Sequence, residues 1–319
     1  MTEPFDLPDG RRGQTIRLES GPMSARILTL GATVQELRLG GRHLMLGLAN
    51  PADYLGVPHV MGAILAPVVN RVKDAAAMIG GTPWKTEPNW RGHLLHSGPE
   101  GAHMQVWEIT AQDATSVTLS VTLNGPFPGP NHVSARYDLT ADALHLTLDM
   151  TTDAPTLCAP AFHPYFNFGG ASRDHHLRIL ADHYLPTDSD LLPTGEIAAV
   201  EGTAFDFRDT RAISQPYDSC FCLSHNQRDL RLVAWLTAPD GGLTMELSTT
   251  EPGLQLFLGD TTESDAPGLD GDPYGPEAGI ALEAQNWPSA DRFEAFPNTL
   301  LKPGGRYRQE TRFRFTESA

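Results

Sequence analysis

A two-residue hydrophobic period recurs along most of this chain, and it constrains the fold more than any other feature. In Ser116–Leu123, Val117, Leu119, Val121 and Leu123 alternate with Ser116, Thr118, Ser120 and Thr122. In Ala143–Thr151, Leu144, Leu146, Leu148 and Met150 alternate with His145, Thr147 and Asp149. Val133, Ala135, Tyr137 and Leu139 repeat the pattern, and so does Tyr307–Phe315. Successive strand side chains point to opposite faces, so each segment reads as an antiparallel strand with one buried face. Shorter segments of the same kind are Ser24–Leu30, Val34–Leu39, His176–Ala181, Leu230–Leu236, Leu243–Thr249, Leu254–Gly259 and Gly279–Glu283. No long window keeps a helical period. At most a helical turn or two is expected, for example around Pro51–Tyr54.

The 30 glycines and 26 prolines are spread between these stretches and not gathered in one block, and therefore mark turns. Many short strands separated by turns predict a sandwich or barrel. Neither a repeat nor a linker divides the chain, so residues 1–319 are read as one large all-β domain. Asp260–Pro276 is the longest irregular segment, and loops of that length are usually functional or mobile.

Charge and cysteine content narrow the function. A net charge of −16 opposes binding to nucleic acid and to anionic membranes. Lys73, Lys85 and Lys302 are the only lysines, which leaves few groups for Schiff-base chemistry. The most apolar run, Val60–Val69, is too short to span a bilayer. Met1–Asp6 lacks the pattern of a secretory leader, and three cysteines make no disulfide framework, so a cytoplasmic protein is expected. Cys220, Cys222 and His225 offer three metal-ligand types, but zinc sites normally begin with a wider cysteine spacing. The two cysteines are read instead as small buried hydrophobes. Nucleotide-binding, serine-hydrolase and zinc-protease motifs are also missing, so neither metal nor cofactor is expected.

Four segments place polar residues where the pattern calls for apolar or turn residues. Asn70-Arg71 closes the apolar run, with Arg71 either capping a strand end in solvent or facing a ligand. His96 follows Leu94-Leu95 and opens a glycine-rich turn, with a structural or a binding role equally open. His163 stands among prolines and aromatics in Ala159-Pro-Ala-Phe-His-Pro-Tyr-Phe-Asn-Phe-Gly-Gly170, as a core histidine or as a group stiffly held beside a stacking surface. Glu283 ends an apolar strand beside Gln285, Asn286 and Trp287. A carboxylate there is either solvated or, with its pKa raised by burial, suited to general-base work.

Together with other segments, these four resemble the aldose 1-epimerase (galactose mutarotase) family. The resemblance runs roughly from Ser24 to Phe315. It rests on Asn70-Arg-Val72, Leu95-His-Ser-Gly98 with Gly101 and Trp107, Asn124-Gly-Pro-Phe-Pro-Gly129, and His163-Pro-Tyr-Phe-Asn167. The stretch Tyr184–Arg208, Tyr217-Asp-Ser-Cys-Phe221, Pro252-Gly-Leu-Gln255 and Glu283-Ala-Gln285 with Pro288 continue it in register. The resemblance implies a large antiparallel β-supersandwich and interconversion of the α and β anomers of a monosaccharide, with no cofactor. It puts His163 at the general-acid position and Glu283 at the general-base position, with Arg71, His96, Asp218 and Gln285 binding the sugar.

The chain departs from the family pattern in several places. Ala66-Pro67 stands where an arginine is usual before Asn-Arg, Ala161-Phe162 and Pro164 flank the histidine in place of commoner residues, and Ser219 follows Asp218 where histidine is frequent. These departures leave the sugar undetermined, with a phosphosugar or sulfosugar epimerase as the alternative on the same fold. The other rivals are a non-catalytic sugar-binding protein and a glycoside hydrolase, which normally needs two carboxylates across the bond where this site pairs His163 with Glu283. The sequence fixes no oligomeric state.

Overall fold

The computed structural model describes residues 2–56, 60–258 and 262–318. It is a large antiparallel β-sandwich built on three main sheets. The first has five strands that follow one another from Thr2–Asp6 to Arg42–His43. The second has nine strands, with Ala143–Thr152 and Tyr307–Glu317 paired at its centre. The third has six strands in the order Tyr165–Phe166, Ile280–Gln285, Gly253–Phe257, Asp218–Cys222, His183–Tyr184 and Ala198–Ala199.

The alternation read from the sequence is the alternation of burial. Leu144, Leu146, Leu148 and Met150 are each at most 1% exposed, whereas His145, Thr147 and Asp149 keep part of their surface in water. Burying each such aliphatic side chain contributes roughly 1.5–3 kcal/mol. One apolar cluster draws on all three sheets, with Ile16 and Leu18 from the first, Val117 and Leu144 from the second, and Leu254 and Leu282 from the third. The hydroxyl of buried Tyr137 donates to the carbonyl of Ala32 at 2.6 Å and ties the nine-stranded sheet to the first.

Observed strands match the expected ones closely, Val34–Leu39, Ser116–Leu123 and Leu243–Thr249 residue for residue. Leu254–Gly259 is found as Gly253–Phe257, with Gly259 outside the described residues. Of the long loop Asp260–Pro276, Asp260 and Thr261 also lie outside them. The turn near Pro51 is a 3-10 helix over Pro51–Leu55, and its N-terminus is capped by the Asn50 side chain. No helix among the described residues is long and apolar enough to cross a membrane.

Candidate active site

The six-stranded sheet supplies one wall of the site through its register. Gln255 pairs with Glu283 on one side and with Cys220 on the other, and Phe257 pairs with Asp218 and Ala281. Leu254, Leu256, Ile280 and Leu282 turn into the main apolar cluster. The period of two therefore sends Asp218, Gln255 and Glu283 to the opposite face. These three line a cavity of about 430 Å³ together with Arg71, Trp90, His96, His163 and Tyr165.

His163 is fixed by backbone contacts on both sides. Its N–H donates to the Ala63 carbonyl at 3.1 Å, and its own carbonyl accepts from Gly62 at 2.8 Å. Gly62 has φ of +66°, and a Cβ there would stand 2.2 Å from the Val34 carbonyl oxygen, so only glycine fits this close approach. The imidazole stacks on Tyr165 at 4.9 Å and brings Nε2 to 3.3 Å from Glu283 Oε1. Both side chains are almost fully buried. Burial, with a smaller push from Asp218, holds the Glu283 carboxyl well above the usual range, and Arg71 only partly opposes this. Glu283 Oε2 has no hydrogen-bond partner among the described residues and is free to receive a proton.

A second set of groups comes from tight loops. Asn70 and His96 both adopt positive φ, +65° and +53°, and their segments lock together. The Asn70 N–H donates to His96 Nδ1 at 3.1 Å, and the His96 N–H donates to the Asn70 carbonyl at 3.0 Å. With Nδ1 accepting, the neutral ring carries its proton on Nε2 and presents a donor. Loss of hydration, followed by the nearby His163, His103 and Arg71, pushes the His96 pKa well below its ordinary value and keeps the ring neutral. Arg71 donates to Asp218 at 2.9 Å and to the Asn70 side chain at 3.2 Å. Gln255 holds the other Asp218 oxygen at 2.5 Å, and its own Oε1 is buried without a partner among the described residues.

Five of the six residues expected in the site thus meet in one cavity: His163, Glu283, Arg71, His96 and Asp218. Gln285 does not line it. Alternation puts Gln285 on the same face as Glu283, but its position along the strand carries it past the cavity floor, to the level of Gly253 and Cys222. It is fully buried and donates to the Asn286 carbonyl at 3.2 Å. Gln255 lines the cavity instead. It was visible only as the end of Pro252-Gly-Leu-Gln255, with no role attached. Trp90 carries no sequence signal at all. As for metals, no group of three or more His, Cys, Asp or Glu side chains among the described residues could hold an ion. Cys220 is buried, removal from water raises the Cys222 thiol to about 12, and His225 stacks on Trp287.

The profile described as aldose 1-epimerase matches residues 14–314 of the chain. The chain belongs to the aldose 1-epimerase family. It is 30% identical to the galactose mutarotase of Mus musculus, over 98% of this chain and 96% of the relative. It is 29% identical to the aldose 1-epimerase of Escherichia coli K12, over 98% of each. Among solved structures, an aldose epimerase homologue from C. elegans superimposes with a TM-score of 0.91 at 25% identity, covering 96% of this chain and all of that one. The galactose 1-epimerase of Lactobacillus acidophilus gives 0.85 at 27% identity, covering 100% and 99%. The sandwich is accordingly of the galactose mutarotase type, and this aldose 1-epimerase family member is an isomerase.

Proposed function

We propose that this chain interconverts the anomers of a free aldose, with Glu283 as general base and His163 as general acid. The observation that carries the reading is the 3.3 Å approach of His163 Nε2 to Glu283 Oε1 at the dry floor of the cavity. O1 and O5 of a pyranose are both bonded to C1, so the two groups that serve them must sit close together. Glu283 takes the proton of the C1 hydroxyl while His163 delivers one to the ring oxygen. The C1–O5 bond breaks and the aldehyde forms. Rotation about C1–C2 turns the other carbonyl face to the C5 hydroxyl. On closure His163 recovers its proton from that hydroxyl and Glu283 returns its own to O1, so the enzyme ends as it began.

Each positioned acid or base is worth about 10²–10⁴-fold. Holding the open chain for reclosure adds an orientation term. In this reading Arg71, Asp218, neutral His96 and Gln255 hold ring hydroxyls by hydrogen bonds, the charged ones being the strongest. Gln285 backs the floor from below without touching the sugar.

Among the described residues no lysine lines the cavity, and its two arginines, Arg71 and Arg91, are set against two carboxylates, Asp218 and Glu283, which favours a neutral sugar over a phosphorylated one. The absence of disulfides among the three cysteines supports the cytoplasm as the setting. Anomer-exchange NMR on galactose, glucose, a pentose and galactose 6-phosphate tests the reading. Exchange well above the buffer rate for a free aldose, lost in Glu283→Gln, is the expected result. No acceleration for any aldose would overturn it, and a kcat/KM at least tenfold higher for the phosphate would move the substrate class.

A further inference from the structure

We propose that Trp90 is a positioning residue of the sugar clamp, one that aims the Arg71 guanidinium by holding it against the indole face. This rests on the reading of the cavity as the sugar site. Trp90 lines that cavity, and the Arg71 guanidinium carbon stands over its ring, 4.6 Å from the centroid. Hydrogen bonds to Asp218 and Asn70 occupy the two terminal nitrogens of Arg71, and its buried Nε has no partner among the described residues. Such in-plane bonds fix two points of the planar fork and leave its tilt open. A stacked aromatic face sets the tilt, and guanidinium is weakly hydrated enough to prefer that contact.

The ring is held in place for this task. Trp90 and His93 exchange backbone hydrogen bonds at 3.1 and 2.7 Å, and the two residues between them, Arg91 and Gly92, have φ of +44° and +84°. Two central residues at positive φ mark the tight type I′ hairpin turn. Arginine is an unfavourable occupant of its first central position, and such strain persists where surrounding contacts over-determine it. Those contacts are present. The Asn89 side chain bonds both the N–H and the carbonyl of Leu95, at 2.7 and 3.1 Å, and Leu95 is the strand partner of Arg71. At the other end, His93 Nδ1 accepts from the Asp74 N–H at 2.9 Å. The hairpin is therefore tied to the strand partner of the arginine it steadies and to the backbone three residues beyond it. Arg91 also stands over the same ring at 4.8 Å. The indole is thus engaged by cations and is not an open platform for the C–H face of a sugar.

The test is a double-mutant cycle read in KM and kcat on the preferred free aldose. Trp90→Leu should raise KM about three- to tenfold and leave kcat within about twofold, in keeping with the strength of a partly desolvated cation–π contact. Trp90→Phe should restore most of the affinity. In an Arg71→Met background Trp90→Leu should add almost nothing, because its effect passes through the missing guanidinium. An equal KM rise in both backgrounds would show that Trp90 acts on the sugar directly and would overturn the proposal, as would an unchanged KM in Trp90→Leu alone. Arg91→Ala reproducing the full effect of Trp90→Leu would also overturn it.

Should Trp90→Leu fail to fold, fluorinated tryptophans placed at position 90 alone keep the ring's shape while draining its negative face. KM should then climb with each added fluorine, and a flat series counts against the proposal. If the wild-type chain exchanges no anomers, the site reading fails. If it does and the cycle is additive, only the role of Trp90 fails.

Discussion

The floor and the rim of the cavity are built by different means. On the floor, Glu283 and Gln255 are ordinary strand residues whose direction follows from pleat and register, and Glu283 and His163 are nearly dry. At the rim, Asn70, His96 and Arg91 sit in left-handed backbone conformations, and Arg71, Asp218 and Trp90 keep part of their surface in water. Proton transfer needs groups whose positions and pKa values do not drift, and a buried sheet supplies both. Hydroxyl recognition needs donors and acceptors aimed at several angles, which turns provide and strands do not. Chemistry and selectivity should therefore respond differently to mutation.

The largest expected effects lie on the floor. Glu283→Gln should lower kcat by at least about 10²-fold and abolish the acidic limb of the pH profile. In the wild type that limb should lie above the ordinary carboxylate range, because the Glu283 carboxyl is pushed up by burial and must be ionised to act. His163→Asn should erase the basic limb. Well-folded variants with near wild-type turnover and an unchanged profile would break the contrast between floor and rim. Asp218→Asn and Arg71→Ala come next. Losing a charged hydrogen bond to the sugar should cost roughly 1.5–3 kcal/mol in kcat/KM. Most of it should appear in KM, and an effect confined to kcat would place these residues with the floor.

Glu251 sharpens the comparison because it is a buried carboxyl that does not line the candidate site. Burial raises it to about 7, against the pull of hydrogen bonds from Gln227 and Tyr307 and the charge of Arg231. Its folded pKa exceeds its unfolded one, so its protonated form favours the fold at low pH. That contribution is lost as pH rises from the ordinary carboxylate value to about 7. Glu251→Gln keeps an acceptor for Gln227 and removes the titration. Its Tm should exceed that of the wild type by a few degrees at pH 8 and not at pH 4, with wild-type kcat throughout; a Tm difference independent of pH would show that Glu251 does not titrate as its burial implies. The smallest effect is expected from exhaustive chelation. Mutarotation should survive it, and loss of activity with recovery on zinc would point to a metal requirement.

The strands were legible because burial on one face of a sheet writes itself into every second residue. Where few apolar residues alternate the signal fades, and Arg12–Ser20 has only Ile16 and Leu18 to mark it as a strand. The candidate acid, base and clamp residues were legible through the order of family-like segments, not through spacing, since Arg71, His163 and Glu283 meet only in the folded chain. Gln285 shows the limit of motif reading: a residue two places from the base shares its face yet lies too far along to reach the cavity. Trp90 shows a different limit. Its partner is Arg71, and only the pairing of Leu95 with Arg71 brings the two together.

The row Cys220–Gln255–Glu283 also restricts how this enzyme can change over evolutionary time. Inserting or deleting one residue within Gly253–Phe257 or Ile280–Gln285 would turn Gln255 or Glu283 into the apolar core and a leucine into the cavity. These strands can therefore drift in composition but hardly in length. The turn between Trp90 and His93 bears no such parity rule, because its geometry is set by two positive-φ residues and the contacts around them and not by the pleat. Change in the cavity wall is therefore more accessible to a lineage, or to an engineer, by replacing side chains in that turn than by altering the length of the strands beneath it.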